Sequence, residues 1–326
     1  MLVAKTDSTM IHESSGVRFR ISGHESFPCR YAWLPKSVRC LAQDSTLFSD
    51  EDRAMVELGV GKNMVRSIRF WLQATGVAEP GTRGQHSITD FGKALLGDRG
   101  HDPFLEDIRT LWLIHWRIST DMASPLLAWD SLLNRWHDPE IAQSRVVPFL
   151  LQEATRNNDH VSPTTVEQHF DTFLHTYVPT RGRKGEVLED NLDCPLVELE
   201  LIVRIGDRPT DTSSGRSEPA YAFRRDIKPD ITPELFVYCL NDFWDKRHSK
   251  ESTLPVREVA HGLGSPGQIF KLPEEDIRQR LEQLPQHTND ALDYVESANV
   301  PQVCRKKQLR SDRLLRNIYC ADPRNG

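Results

Sequence analysis

Through most of the chain apolar residues recur every three to four positions, the spacing that gives a helix one buried stripe; only short stretches alternate residue by residue as a half-buried strand does. The clearest helical stretch runs from Lys62 to Thr75. There Met64, Ile68 and Leu72 fall one turn apart, joined by Val65, and define the buried side. Lys62, Arg66, Arg69 and Gln73 form a polar stripe facing elsewhere. Gly76 stands where a helix C-terminus favours a left-handed residue. Before this helix, Ser49 with Asp52 three residues on reads as a capping pattern for a helix ending near Leu58, and Gly59-Val60-Gly61 as a tight turn. After it come a glycine-rich basic hairpin from Glu79 to His86, a short Ser-Ile-Thr strand and a helix opening at Thr89 or Asp90. Helix, turn, helix, hairpin and strand follow the order of a winged helix.

Upstream, VRFRIS (17–22) alternates and predicts a short strand, and Tyr31 to Leu41 predicts a helix despite Pro35. Downstream, the tryptophan- and leucine-rich stretch from Asp102 to Trp136 predicts helices packed in a core. Arg145 to Asn157 and Thr164 to Tyr177 predict a helix pair, the second opened by Ser162-Pro163. VELELIVRI (197–205) predicts a strand, Gly206 to Ser217 a hairpin tip, and Ala220 to Arg224 the returning strand. Helices are expected from Thr232 to Trp244, after Ser252, from Pro273 to Leu284, from Leu292 to Val300, and in the tail from Arg305. The fold class expected is mainly α with small β-sheets (α+β), a winged-helix-like N-terminal module followed by further helical or winged-helix-like domains. A chain of 326 residues can hold two or three cores. The boundaries expected are 17–100 for a winged-helix-like DNA-binding domain, 101–178 for a helical domain, and 179–326 for an α+β domain with a basic tail.

Composition narrows this reading. The hydrophobic fraction of 38% is that of a foldable chain. No apolar run approaches the ~18 residues that span a bilayer. The first 16 residues lack a signal-peptide core and read as a disordered lead-in, so a cytoplasmic protein with no membrane partner is expected. Six scattered cysteines form no CxxC or Cys/His cluster, which argues against a structural zinc or a disulfide frame. A net charge of −6 means that contact with nucleic acid has to come from local patches. Three exist. Residues 17–39 carry +4, and the tail 305–316 carries +5. The loop Pro179 to Lys184 adds Arg181, Arg183 and Lys184.

Candidate chemistry follows from these patches. A helix entering the major groove needs cations for phosphate and amide or guanidinium groups for base edges, which Lys62, Asn63, Arg66, Arg69 and Gln73 supply. Arg83 at the hairpin reaches a flanking backbone, and Arg181, Arg183, Lys184, Lys306, Arg310 and Arg313 extend the basic surface, so double-stranded DNA is the expected partner. For catalysis, His24, Glu25 and Arg30 are the candidates, as base and phosphate clamp in phosphodiester cleavage. Neighbours in an extended chain point to opposite faces, so a structural corner explains His24 and Glu25 equally well. Glu189, Asp190 and Asp193 hold a metal if they converge and otherwise form an acidic helix cap, and Cys29 beside Arg30 is a weak candidate thiol. There is no P-loop, no GxSxG and no HNH-like set.

GHESFPCRYAWLPK (23–36) and LEDNLDCPLVELELI (188–202) resemble two signature blocks of a bacterial family of unknown-function domains found in DNA phosphorothioation gene clusters. The resemblance runs from about Phe19 to Tyr319. The matching positions are Gly23, His24, Glu25, Phe27, Arg30, Trp33 and Lys36 in the first block, and Glu189, Asp190, Asp193, Pro195, Leu196, Glu198 and Leu199 in the second. It implies a DNA-nicking endonuclease that opens one strand for sulfur incorporation, in antiviral defence resembling restriction–modification. It further implies work alongside a cysteine desulfurase, an ATPase and a sulfurtransferase. Mg2+ or Mn2+ is the cofactor such cleavage would use, with the ligand set left open, and a homodimer is left open as the assembly. The competing readings are a non-catalytic DNA-binding or bridging subunit and a winged-helix regulator.

Overall fold

The computed structural model describes residues 18–157, 159–179, 194–210, 217–296 and 300–320. It is a mixed α/β fold, mostly helical, with three small antiparallel sheets among the described residues. The first third holds α1 (Trp33–Gln43), α2 (Glu51–Leu58), α3 (Lys62–Ala74), the hairpin β1 (Ala78–Pro80) and β2 (His86–Ile88), and α4 (Asp90–Leu96). Ala78 pairs with Ile88 and Pro80 with His86. Local chemistry sets these ends. Asp50 caps α2 by accepting from the N–H groups of Asp52 and Arg53, so the cap falls one residue beyond the Ser49 expected from sequence. Pro35 sits in the first turn of α1, where its missing N–H costs nothing. Thr89 caps α4.

The middle holds α5 (Ile108–Ser119), α6 (Leu127–Asn134), α7 (Gln143–Arg156) and α8 (Pro163–Tyr177). A two-stranded ribbon of β3 (Ile202–Pro209) and β4 (Ser217–Phe223) follows, then α9 (Pro233–Arg247). The remainder comprises β5 (Thr253–Pro255), α10 (Val256–His261), α11 (Pro266–Phe270), α12 (Glu274–Glu282) and α13 (Leu284–Thr288). It ends with β6 (Leu292–Val295), β7 (Gln302–Arg305) and α14 (Ser311–Cys320), and β7 lies between β5 and β6.

Buried apolar side chains from Phe19 to Ile318 form one continuous core. Trp71, Trp112, Trp116, Trp129 and Trp244 are its largest fully buried members. Most indole N–H groups find an acceptor, as burial of a polar handle demands. Trp116 donates to Asp242 at 2.7 Å and Trp129 to the Tyr177 hydroxyl at 2.9 Å.

Four expectations need correction. Leu292 to Val295 is a strand, because its side pairs with β7 rather than packing as a helical stripe. Pro195–Leu199 is a 3-10 turn closed by Glu200 at φ 45, so the strand expected from Val197 begins at Ile202. The tail enters as strand β7, and its helix starts at Ser311 rather than Arg305. The strand expected over VRFRIS does not form in its described residues 18–22, which make one isolated bridge, Arg20 with Leu126.

Candidate nucleic-acid interface beside α3

The GHESF segment is a strained turn. Gly23 has φ 105, and a Cβ there would lie 3.1 Å from the Phe70 ring. Glu25 and Ser26 follow at φ 50 and 62, a left-handed conformation that costs a non-glycine residue about 1 kcal/mol or more. His24 anchors the turn from inside. It is 4% exposed, with Nε2 3.1 Å from His169 Nδ1, and Nδ1 3.1 Å from Thr172 Oγ1. Donor logic orders the protons. The Ala128 N–H can only donate, at 3.1 Å, so His169 Nε2 is an acceptor and its Nδ1 carries hydrogen. His24 Nε2 and His169 Nδ1 share one hydrogen, while His24 Nδ1 accepts from the Ser26 N–H at 3.1 Å and lies beside Thr172 Oγ1, which is also 2.9 Å from the Gln168 carbonyl. Both imidazoles are neutral in this chain. Burial pulls His24 down to about 4 and His169 further below its ordinary value.

His24 and Glu25 therefore part company: the imidazole points into the core, and the carboxylate stays exposed at the rim of a cavity of about 350 Å³. Arg20, Arg66, Arg69, Gln73 and His86 line it with Glu25. The Arg20 guanidinium lies 4.0 Å over the Phe70 ring and donates to Gln73 Oε1 at 3.2 Å. Because arginine can only donate, Gln73 turns its oxygen to Arg20 and its amide N–H to His86 Nε2, 3.1 Å away. Gln73 is thus a bracket tying Arg20, α3 and the β1–β2 hairpin together. Neither Arg20 nor Arg69 has a carboxylate within ion-pair distance among the described residues. Burial pulls the Arg20 pKa down, only partly offset by the field of Asp121. A half-buried cation with no carboxylate paired to it is costly and suits an anion from outside.

The other predicted cations are occupied differently. Arg66 forms a fork on Glu51, at 2.8 and 3.2 Å, and Lys62 reaches the same carboxylate at 3.1 Å. Asn63 is exposed at the start of α3, and Arg83 is exposed at the hairpin tip with φ 55. Lys306 pairs with Asp293 at 2.7 Å and Arg310 with Asp312 at 3.0 Å; Arg313 is exposed. Arg30 does not join the cavity. It stacks on Phe27 and Trp33, with centroids 5.9 and 5.6 Å away. Arg181, Arg183, Lys184, Glu189, Asp190 and Asp193 lie outside the described residues. Cys29 is buried, and burial raises its thiol pKa. Arg20 and His86 are the polar cavity residues that were not among the sequence-predicted site residues. The available signal was a charged residue between buried Phe19 and Ile21, which a two-residue period marks as facing the opposite way.

The remaining signature positions build the frame. The Phe27 carbonyl accepts from Trp71 Nε1 at 2.9 Å, and Lys36 Nζ donates to the Leu58 carbonyl at 2.9 Å, tying α1 to the end of α2. The two blocks also meet, for the Tyr31 hydroxyl donates to Glu198 while Pro195, Leu196 and Leu199 enter the core. No group of three His, Cys, Asp or Glu side chains able to hold a metal occurs among the described residues. No described helix is long and apolar enough to cross a membrane.

Residues 21–319 match the family of unknown function DUF4007, and the chain belongs to it. Two solved structures share the fold. A magnesium ion-bound SspB crystal structure is 24% identical, covering 91% of this chain and 85% of that one with a TM-score of 0.77. An SspB crystal structure is 22% identical, covering 93% and 88%, also with a TM-score of 0.77. No curated protein sequence matches the chain significantly.

Proposed function

We propose that this protein binds duplex DNA across the face of α3 and nicks one strand in a DNA phosphorothioation system. The observation that carries the reading is the cavity beside α3, where Arg20 and Arg69 stand without carboxylate partners and Gln73 ties Arg20 to the hairpin. In this reading α1 to α3 with β1 and β2 act as a winged helix spanning residues 17–100. The polar stripe of α3 faces the groove, and Arg83 on the wing meets the flanking backbone. The thirteen residues of α3 rise about 20 Å, enough to lie along a major groove.

Within the cavity the roles follow from chemistry. Arg20 and Arg69 hold the non-bridging oxygens of one phosphate and stabilise the charge that grows on them as water attacks phosphorus and the bond to one bridging oxygen breaks, that oxygen taking a proton from solvent as it leaves as the sugar hydroxyl. Glu25 takes the proton of that water. His24 is kept out of the reaction by burial and acts as the internal anchor of the strained turn that presents Glu25. Glu25 is the one carboxylate in the cavity, and Mg2+ is ordinarily bound by one or two carboxylates with substrate phosphates, so Glu25 is the residue that would hold Mg2+ or Mn2+, in which case the water would give its proton to solvent rather than to Glu25. A bound ion supplies charge neutralisation at phosphorus and a more acidic water. The family resemblance supplies the rest: work alongside a cysteine desulfurase, an ATPase and a sulfurtransferase. The second reading, a DNA-binding subunit without its own hydrolytic centre, is favoured by that same solitary carboxylate.

A supercoiled-plasmid assay separates them. Open circles formed with Mg2+ or Mn2+, lost with EDTA and in Glu25→Gln, support the nickase. Gel shifts that Arg69→Ala weakens, with no nicking under any condition, leave the binding subunit. Absence of both overturns the proposal.

A further inference from the structure

Two side chains from the first turns of α3 already hold a carboxylate. The Glu51 carboxylate accepts from Arg66 Nε at 2.8 Å, from Arg66 Nη2 at 3.2 Å, and lies 3.1 Å from Lys62 Nζ. This two-oxygen fork plus an ammonium is the arrangement that also receives two oxygens of a phosphodiester. The helix end adds to it, because Gly61 occupies the cap position of α3 and no side chain caps its first turn. Free N–H groups and the positive end of a thirteen-residue helix favour an anion there. All three partners face water: the side chains of Glu51, Arg66 and Lys62 are 28%, 38% and 54% exposed. An ion pair this open contributes little to stability, so an incoming phosphate can displace it. Arg66 also lines the Arg20–Arg69 cavity, so a strand held there passes this site.

We infer that Lys62, Arg66 and the first turn of α3 form a second phosphate subsite, and that Glu51 occupies it as an internal stand-in for a DNA phosphate. Glu51 then lowers the affinity for DNA, since each binding event has to expel a carboxylate from between the two cations. This deepens the DNA-binding reading and rests on it. It also explains why two strong cations on the exposed stripe are quenched while Arg69, one turn on, is not.

The sign of one substitution tests it. Glu51→Gln is expected to bind a 20-base-pair duplex about five- to tenfold tighter than wild type, because one unit charge has left the phosphate's neighbourhood. The dependence of log K on log salt is expected to steepen by about one unit, since wild type takes up a cation at the released carboxylate when DNA binds. Adding Arg66→Gln to Glu51→Gln is expected to erase the gain. Asp50 still caps α2 in these variants, so their melting temperatures should match wild type. Weaker binding by Glu51→Gln would make Glu51 a scaffold for the two cations, and unchanged binding would place phosphate elsewhere; either result overturns the inference. Wild type and Arg69→Ala run alongside. If wild type fails to bind at low salt, the DNA reading itself falls; if it binds and Arg69→Ala does not while Glu51→Gln is unchanged, only the subsite falls.

Discussion

Two basic regions of this chain look alike in sequence and differ in the folded molecule. Around α3, Arg20 and Arg69 line a cavity with no ion-pair partner among the described residues. In the tail four of the six cations are paired, Arg305 with Asp245 at 2.5 Å, Lys306 with Asp293, and both Arg310 and Arg316 with Asp312, while Lys307 and Arg313 have no ion-pair partner among the described residues. The tail helix α14 is also a structural strap. Tyr319 stacks on His101 with centroids 4.6 Å apart and shares a 2.7 Å hydrogen bond with Thr110, and Arg109 donates to the Ile318 carbonyl at 2.7 Å. Counting charges in a window therefore overstates what a surface offers a polyanion. What matters is whether the fold has already supplied a carboxylate for each cation.

The sharpest way to break this comparison is to weaken both regions and measure duplex binding. Arg20→Ala with Arg69→Ala is expected to lower affinity about a hundredfold and to flatten the salt dependence by about two units, as loss of two phosphate contacts requires. Titrations at several salt concentrations check this; a smaller loss than that of the tail variants would reverse the assignment. Next in size is the anchor beneath the turn. His24→Ala strands the His169 N–H and is expected to cost about 2–3 kcal/mol of stability, read from denaturant midpoints. His24→Ala should lower nicking only as far as it loosens the turn, whereas Glu25→Gln should lower nicking and leave stability unchanged.

Acid sharpens the contrast further. Burial holds His24 and His115 near 4, below the ordinary value of about 6.5. The unfolded chain then takes up protons first as pH falls. The stability from these neutral imidazoles is complete above pH ~6.5 and is lost as pH falls from there toward 4. Denaturant midpoints should drop across that window, and less so in His24→Phe. The smallest effect belongs to the tail: Lys306→Ala and Arg310→Ala are expected to change duplex affinity less than twofold, because the proposed interface lies across α3 rather than α14. A tenfold loss there would move the interface to α14.

Several features were legible without coordinates because they depend on local spacing. Helix α3, its caps and its polar stripe follow from a 3.6-residue period, and the hairpin after it from glycine placement. The signature blocks pointed to the family from residue identity alone. The failures are equally local in origin. Leu292 to Val295 fits either period over four residues, and pairing with β7 decided it as a strand. His24, Glu25 and Arg30 read as one constellation because they are neighbours in sequence. In the fold they go three ways, into the core, onto the cavity rim, and onto the rings of Phe27 and Trp33.

By itself the sequence determined the helical class, the family, the identity of the exposed stripe on α3 and the absence of a familiar nuclease motif, all properties of residue type and short-range order. Tertiary structure alone decided which cations remain available. Glu51 lies 15 positions before Arg66 and Arg20 lies 53 before Gln73, and such pairings depend on where packed helices bring side chains together. Electrostatic availability is set by distances of a few ångströms, and those distances are fixed by the core that Trp71, Trp129 and their neighbours fill.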